Sequence, residues 1–153
     1  NYKRLETTNE IDAESYYVDV YNETPSLLET KISKSKNKPY KAMSSLLKSN
    51  CRVTSQPDWG DVFISLEGDN HPLDKELLSY IISFRDECHF HEEICETIFT
   101  RLNNTFDPRS LMVACLYVRR GGWDINPIRT THEYLIDEFF WDHKVPWIKT
   151  LRQ

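Results

Sequence analysis

Between residues 61 and 82 the hydrophobic period changes from two to four. Residues 61–67 (DVFISLE) alternate, with Val62, Ile64 and Leu66 on one face, as a half-buried strand requires. Pro72 then opens a stretch in which Leu73, Leu77, Leu78, Ile81 and Ile82 recur at i, i+4 spacing, which predicts a helix. Asp74 and Glu76 fall in its first turn, where the helix dipole favours carboxylates. The stripe Ile94, Ile98, Leu102 predicts a second helix over 91–103. Residues 111–118 (LMVACLYV) are apolar on both faces and predict a central strand covered on both sides. Two helices adjacent in sequence and set between strands predict a two-layer α+β domain on an antiparallel sheet.

The rest of the chain is less regular. Residues 1–14 are polar and read as a flexible lead-in, with 15–153 as a single module. Residues 15–22 (SYYVDVYN) predict a strand. Residues 24–41, with Pro25, Pro39 and five lysines from Lys31 to Lys41, predict a solvated loop with at most one helical turn. A strand is expected within 42–55, running through Cys51 and Val53, and a turn at 58–60 closes its hairpin onto 61–67. Residues 119–127 (RRGGWDINP) predict a turn-rich loop, and 128–153, with Trp141 and Trp147, an extended aromatic tail.

The chain has 153 residues and a formal charge of −5. An acidic balance argues against direct nucleic-acid binding, which leaves a basic footprint. No apolar run approaches the roughly 20 residues that span a bilayer. The four cysteines, Cys51, Cys88, Cys95 and Cys115, come with no secretory signal, so free thiols in a reducing cytoplasm are expected. The chain opens at Asn1 rather than Met and reads as a fragment or a processed piece.

Three constellations carry potential chemistry. Cys51 lies just before Gln56-Pro57-Asp58-Trp59-Gly60, so it reads either as a nucleophile with Asp58 as its acid or as a buried structural cysteine. In residues 88–95 (CHFHEEIC), Cys88 and Glu92 are i, i+4, as are His91 and Cys95. A zinc site, a capped helix start and polar ligand recognition by His91 and Glu92 all remain open there. Arg119-Arg120-Gly121-Gly122 holds two of the four glycines directly after two arginines. It suits a phosphate approached by the backbone, or a simple strand-ending turn.

Taken in order, Leu46-Leu47-Lys48-Ser49-Asn50-Cys51, Gln56-Pro57-Asp58-Trp59-Gly60, Ser83-Phe84-Arg85, Phe90-His91-Glu92 and Arg119-Arg120-Gly121-Gly122-Trp123-Asp124-Ile125-Asn126-Pro127 resemble the NADPH-dependent 7-cyano-7-deazaguanine reductases of queuosine biosynthesis. The resemblance covers roughly residues 43–130 and fits the C-terminal half of the two-module form. It implies the tunnelling fold, an antiparallel sheet with two adjacent helices on one face. It implies that Cys51 attacks the nitrile as a covalent thioimide and that Asp58 donates the proton. His91 and Glu92 would hold the deazaguanine ring, and Arg120 and Gly121 would contact NADPH. A nitrile carbon accepts hydride poorly until a thiolate has added and its nitrogen is protonated, so Asp58 must act as an acid in a partly buried pocket. No metal is required, and direct RNA contact is not implied.

The family's cofactor motif, Glu-Ser-Lys-Ser-hydrophobic-Lys-x-Tyr, is not matched. Residues 72–80 depart from it, and 33–40 (SKSKNKPY) imitate it out of register with Pro39 interrupting. In the two-module form that motif belongs to the N-terminal half. The resemblance therefore implies a missing N-terminal module, self-association through an open sheet edge, and weak turnover by this chain alone. Two other classes stand beside it. One is a non-catalytic purine- or pterin-binding module, which needs Glu92 but no thiol. The other is a zinc hydrolase using Cys88, His89, His91 or Cys95.

Overall fold

A computed structural model describes residues 1–7, 16–33 and 38–142. The hairpin centred on the alternating segment is the backbone of the sheet. Strand β3 (Tyr40–Asn50) pairs antiparallel with β4 (Pro57–Glu67), with Ala42 opposite Ile64 and Ser49 opposite Asp58. The register shifts by one residue between Ser44 and Leu47, a β-bulge. Strand β6 (Ser110–Tyr117) pairs antiparallel with β4, and the short β7 (Ile128–Thr130) with β6. The two-residue β1 (Lys3–Arg4) adds parallel to β3, giving the order β1-β3-β4-β6-β7. The sheet is thus antiparallel except at this edge. A separate ladder joins β2 (Lys31–Ser33) to β5 (Asn70–Pro72).

Helices α1 (Asp74–Ile82) and α2 (His91–Phe106) lie on one face, as expected. Leu77, Leu78, Ile81, Ile94, Ile98 and Leu102 bury there against Val62, Ile64 and Leu66 of β4 and against alternate residues of β6. Burying such aliphatic side chains contributes about 1.5–3 kcal/mol each. The observed α+β architecture is the tunnelling fold. Every residue of β6 is buried, because its other face, Met112, Ala114 and Leu116, meets a second cluster with Phe63, Leu135 and Phe139. That cluster corrects the expected extended tail. Residues 134–142 are helical, as α3 (Tyr134–Asp137) and a π-turn (Glu138–Asp142), and they cover the second face of the sheet. Trp141 is exposed, and Trp147 lies outside the described residues.

Other expectations also need correction. Residues 16–22 form no strand; Tyr16 instead hydrogen-bonds the Lys75 carbonyl (3.0 Å) and the Ser79 hydroxyl (2.8 Å) of α1. Aromatic residues that suit a pleated surface serve equally to cover a helix. Strand β3 ends at Asn50, so Cys51 and Val53 sit in the following turn rather than on the strand. The expected turn at 58–60 is ladder: Pro57 opens β4, where a missing N–H is tolerated, and Gly60 admits the Tyr117 ring. The 24–41 segment contains the expected helical turn (Pro25–Leu28) and also β2. Residues 1–7 join the sheet edge, with Leu5 fully buried; residues 8–14 of the expected lead-in, and 34–37 of the lysine-rich segment, lie outside the described residues.

Candidate active site

The turn from β3 to β4 sets the sulfur of Cys51. The Cys51 N–H donates to the Gln56 carbonyl (2.9 Å) and the Ser55 N–H to the Cys51 carbonyl (2.8 Å), while Ser55 takes φ 57°, a left-handed conformation. The half-buried thiol is held below its ordinary pKa by hydrogen bonds from the Thr54 hydroxyl and from the N–H groups of Thr54 and Val53, opposed by desolvation and by the Asp58 charge. Thiolate is the nucleophilic form, so this turn favours attack.

Asp58 is 1% exposed and sits one register step from the turn, opposite Ser49. Its Oδ1 gathers three groups. Arg120 donates from Nε (3.0 Å) and also from Nη2, and His91 Nε2 approaches to 3.2 Å without the alignment of a hydrogen bond. Arg120 Nη1 also donates to Gln56 Oε1, tying the loop after β6 to the Cys51 turn. That loop reverses at Gly121 (φ 59°) and Gly122 (φ 84°), with Arg120 and Trp123 exchanging backbone hydrogen bonds of 3.1 and 3.0 Å. Two successive positive φ angles define a turn that glycine adopts without strain. A Cβ on either glycine would meet nothing within 4 Å, so the turn presents open backbone beside the guanidinium.

His91 is the first residue of α2, and its ring packs at 4.2 Å on the Tyr117 ring. Glu93 closes the helix end by accepting the Phe90 N–H (2.8 Å), while Glu92, next to His91, is exposed. The entry to α2 is fastened to the end of β3: Asn50 N–H donates to the Glu87 carbonyl (2.8 Å) and His89 N–H to the Asn50 carbonyl (3.1 Å). Five of the six expected site residues thus lie on segments joined around Asp58, and Glu92 stands beside them at the helix end. The Cys88–Cys95 constellation disperses. Cys88 is exposed, Cys95 is buried against the Val113 and Pro127 carbonyls, His89 turns to Glu87, and His91 turns to Asp58. Among the described residues no group of three or more His, Cys, Asp or Glu is placed to hold a metal ion.

A family model described as QueF-like protein matches residues 57–135, more than half the chain. The chain belongs to the QueF-like family. It is 42% identical over 133 residues to the NADPH-dependent 7-cyano-7-deazaguanine reductase of Hydrogenovibrio crunogenus, covering 83% of this chain and 45% of that protein. It is 52% identical over 88 residues to the enzyme of that name from Acinetobacter baumannii (58% and 32% covered) and 47% identical over 115 residues to that of Cupriavidus metallidurans (74% and 40%). This QueF-like chain therefore spans less than half the length of these relatives. Among solved structures it resembles the apo form of an archaeosine synthase QueF-Like, with a TM-score of 0.55 at 14% identity, covering 63% of this chain and 94% of that one.

Three participants in this QueF-like site carried no role in the sequence reading. Gln56 was visible as part of a motif, but its bond to Arg120 spans 64 residues. The Ser49 hydroxyl, opposite Asp58, and the Tyr117 hydroxyl, beside His91, are buried and unpartnered among the described residues. Tyr117 looks like any apolar strand residue, so nothing in the sequence marks it.

Proposed function

We propose that this chain is the catalytic module of a nitrile oxidoreductase that reduces 7-cyano-7-deazaguanine to 7-aminomethyl-7-deazaguanine with NADPH, in queuosine biosynthesis in the cytoplasm. The observation that carries the reading is a thiol held toward thiolate by its own turn, which Gln56 and Arg120 tie to the buried carboxyl of Asp58. The Cys51 thiolate adds to the nitrile carbon, forming a C–S bond. The C≡N π electrons move to nitrogen, which takes a proton from Asp58, giving a neutral thioimide. His91 and Glu92 hold the ring, the exposed Glu92 carboxylate accepting two N–H donors from a guanine-like edge.

The residues present fit one end of the cofactor: Arg120 offers a guanidinium and the Gly121-Gly122 turn offers open backbone for a phosphate. Two NADPH, bound in succession, would each supply one hydride and so take the nitrile carbon to an aminomethyl carbon. Further cofactor contacts come, on this reading, from an N-terminal module that the relatives carry outside the matched part. That module and self-association would also cover the sheet edge left by the short β1. Arg120 serves Asp58 in the free chain and the cofactor in the complex, so the Arg120–Asp58 pair opens on binding.

The test is intact-mass spectrometry after incubation with 7-cyano-7-deazaguanine, without NADPH, beside Cys51→Ala. The expected result is an adduct equal to the whole ligand mass, absent in the variant. No adduct on a folded chain that still binds the ligand would leave a purine-binding module without the reductase chemistry.

A further inference from the structure

Arg52, the residue after Cys51, falls in the gap between two motifs of the resemblance and has no part in the chemistry proposed above. It stands in the turn from β3 to β4, yet its guanidinium reaches across to the entry of α2, the other side of the site. Arg52 Nη1 pairs with Glu93 Oε1 at 3.1 Å, and Nη2 comes within 3.5 Å of His89 Nδ1. The guanidinium carbon lies 5.1 Å from the centre of the Phe90 ring. The second oxygen of the same carboxylate, Glu93 Oε2, accepts the Phe90 N–H at 2.8 Å and lies 3.5 Å from His89 Nδ1. The Phe90 N–H foremost, and then Arg52 and His89 against some desolvation, hold the Glu93 carboxyl below its usual range. One side chain of the nucleophile's turn therefore meets His89, Phe90 and Glu93, the residues that bracket His91 and Glu92 in sequence. Arg52 and Glu93 are 43% and 40% exposed. Contacts this exposed add little to the stability of a fold, but they fix the groups they touch.

We propose that Arg52 is a positioning residue: it braces the entry of α2 from the nucleophile's side and so sets how tightly His91 and Glu92 hold the ligand, without touching the reacting atoms. The inference rests on the reading of Cys51 as nucleophile and of His91 and Glu92 as the ring-holding pair. The main-chain hydrogen bonds of Asn50 with Glu87 and His89 join the two segments just before Cys51, and Arg52 adds a second tie just after it. Two ties, one on each side of Cys51 in the chain, stop the entry of α2 from pivoting about the first. His91 and Glu92 lie between Phe90 and Glu93, so a pivot there would carry both away from the ligand. A guanidinium suits the task, because its planar fork pairs with a carboxylate while its face lies over an aromatic ring. The tie is electrostatic and exposed, so salt loosens it.

The test is the affinity of the Cys51→Ala chain for 7-cyano-7-deazaguanine, by titration calorimetry at about 0.05 M and about 0.5 M salt. Arg52→Gln and Glu93→Gln, each added to that chain, should weaken binding about fivefold at low salt, and the two together no more than either alone, because they cut one tie. High salt should weaken binding about threefold with Arg52 present and leave the Arg52→Gln chain unchanged. Arg109→Gln breaks an exposed ion pair with Asp69 at the opposite end of β4 and is the control, with affinity and salt response unaltered. With Cys51 restored, Arg52→Gln should raise the ligand concentration for half-maximal adduct formation about fivefold and keep the maximal rate within about twofold. All are surface substitutions, and urea unfolding reports that each variant is folded. Additive losses in the double variant, unchanged affinity in either single variant, or a lowered maximal rate with affinity kept would overturn the proposal. Binding that depends on Arg52 and Glu93 in a chain that forms no adduct would leave the brace standing and remove the role of Cys51 instead. No binding up to the solubility of the ligand would overturn both.

Discussion

Arg120 donates to Asp58 across 62 residues of sequence, Nε to Oδ1 at 3.0 Å, and in doing so places the only charged group of the glycine turn on the expected proton donor. Two proposed roles, acid for Asp58 and cofactor contact for Arg120, therefore compete for one ion pair. Arg120→Ala separates them. Adduct formation with 7-cyano-7-deazaguanine should survive with an altered pH profile, while NADPH binding should weaken about tenfold or more, as expected for a lost charge-assisted contact. Stopped-flow adduct kinetics across pH, with cofactor titration by fluorescence, reads both. Unchanged NADPH affinity would remove Arg120 from the cofactor site.

The Cys51 thiol is held down first by the Thr54 hydroxyl. A lowered thiol pKa means that thiolate is present at lower pH than for an ordinary cysteine, and reactivity falls only as pH drops through the lowered value. Thr54→Val removes the hydroxyl and keeps the backbone donors. The midpoint of iodoacetamide alkylation against pH should move upward, with the maximal rate at high pH retained. A midpoint that stays put would show that the backbone N–H groups suffice.

Gly60 is set by its neighbour across the ladder. A Cβ there would stand 2.9 Å from Tyr117 Cδ1 and 3.3 Å from the Leu116 carbonyl. Gly60→Ala should cost about 1–3 kcal/mol in urea unfolding, as overpacking does. It should also slow adduct formation, because Tyr117 carries the His91 ring at 4.2 Å.

Asp61 is 1% exposed on β4, and neither carboxylate oxygen has a partner among the described residues. Burying an uncompensated polar group is destabilising. Asp61→Ser shrinks that burden and should raise stability by about 1–3 kcal/mol without changing adduct formation, measured by urea denaturation and intact mass. A loss of stability would mean that the carboxylate has a partner in the longer assembly.

The layered α+β plan was legible because period-two and period-four stretches adjoin at Pro72, and because 111–118 is apolar on both faces. The helical end at 134–142 was also written in the chain, in Leu135 and Phe139 at i, i+4, but the aromatic residues Phe140 and Trp141 that follow masked the spacing. Pro57 and Gly60 were misleading for the opposite reason. Both are turn residues by habit, and here one opens a strand while the other yields space to Tyr117. Of the candidate site, Cys51, Asp58 and the His91–Glu92 pair were readable as motifs. The Arg120–Asp58 contact and the Gln56 tie were not, since hydrogen bonds between residues more than 60 apart leave no local trace.

The pair of backbone hydrogen bonds that fastens Asn50 to Glu87 and His89 makes the end of β3 and the start of α2 a single joint. Cys51 follows one side of that joint and His91 follows the other. The backbone span between the thiol and the residues proposed to hold the ring is thus gauged by main chain, like the jaws of a fixed caliper. Such an instrument measures its guest: an electrophilic carbon one methylene farther from the ring would overshoot the sulfur, whatever its intrinsic reactivity.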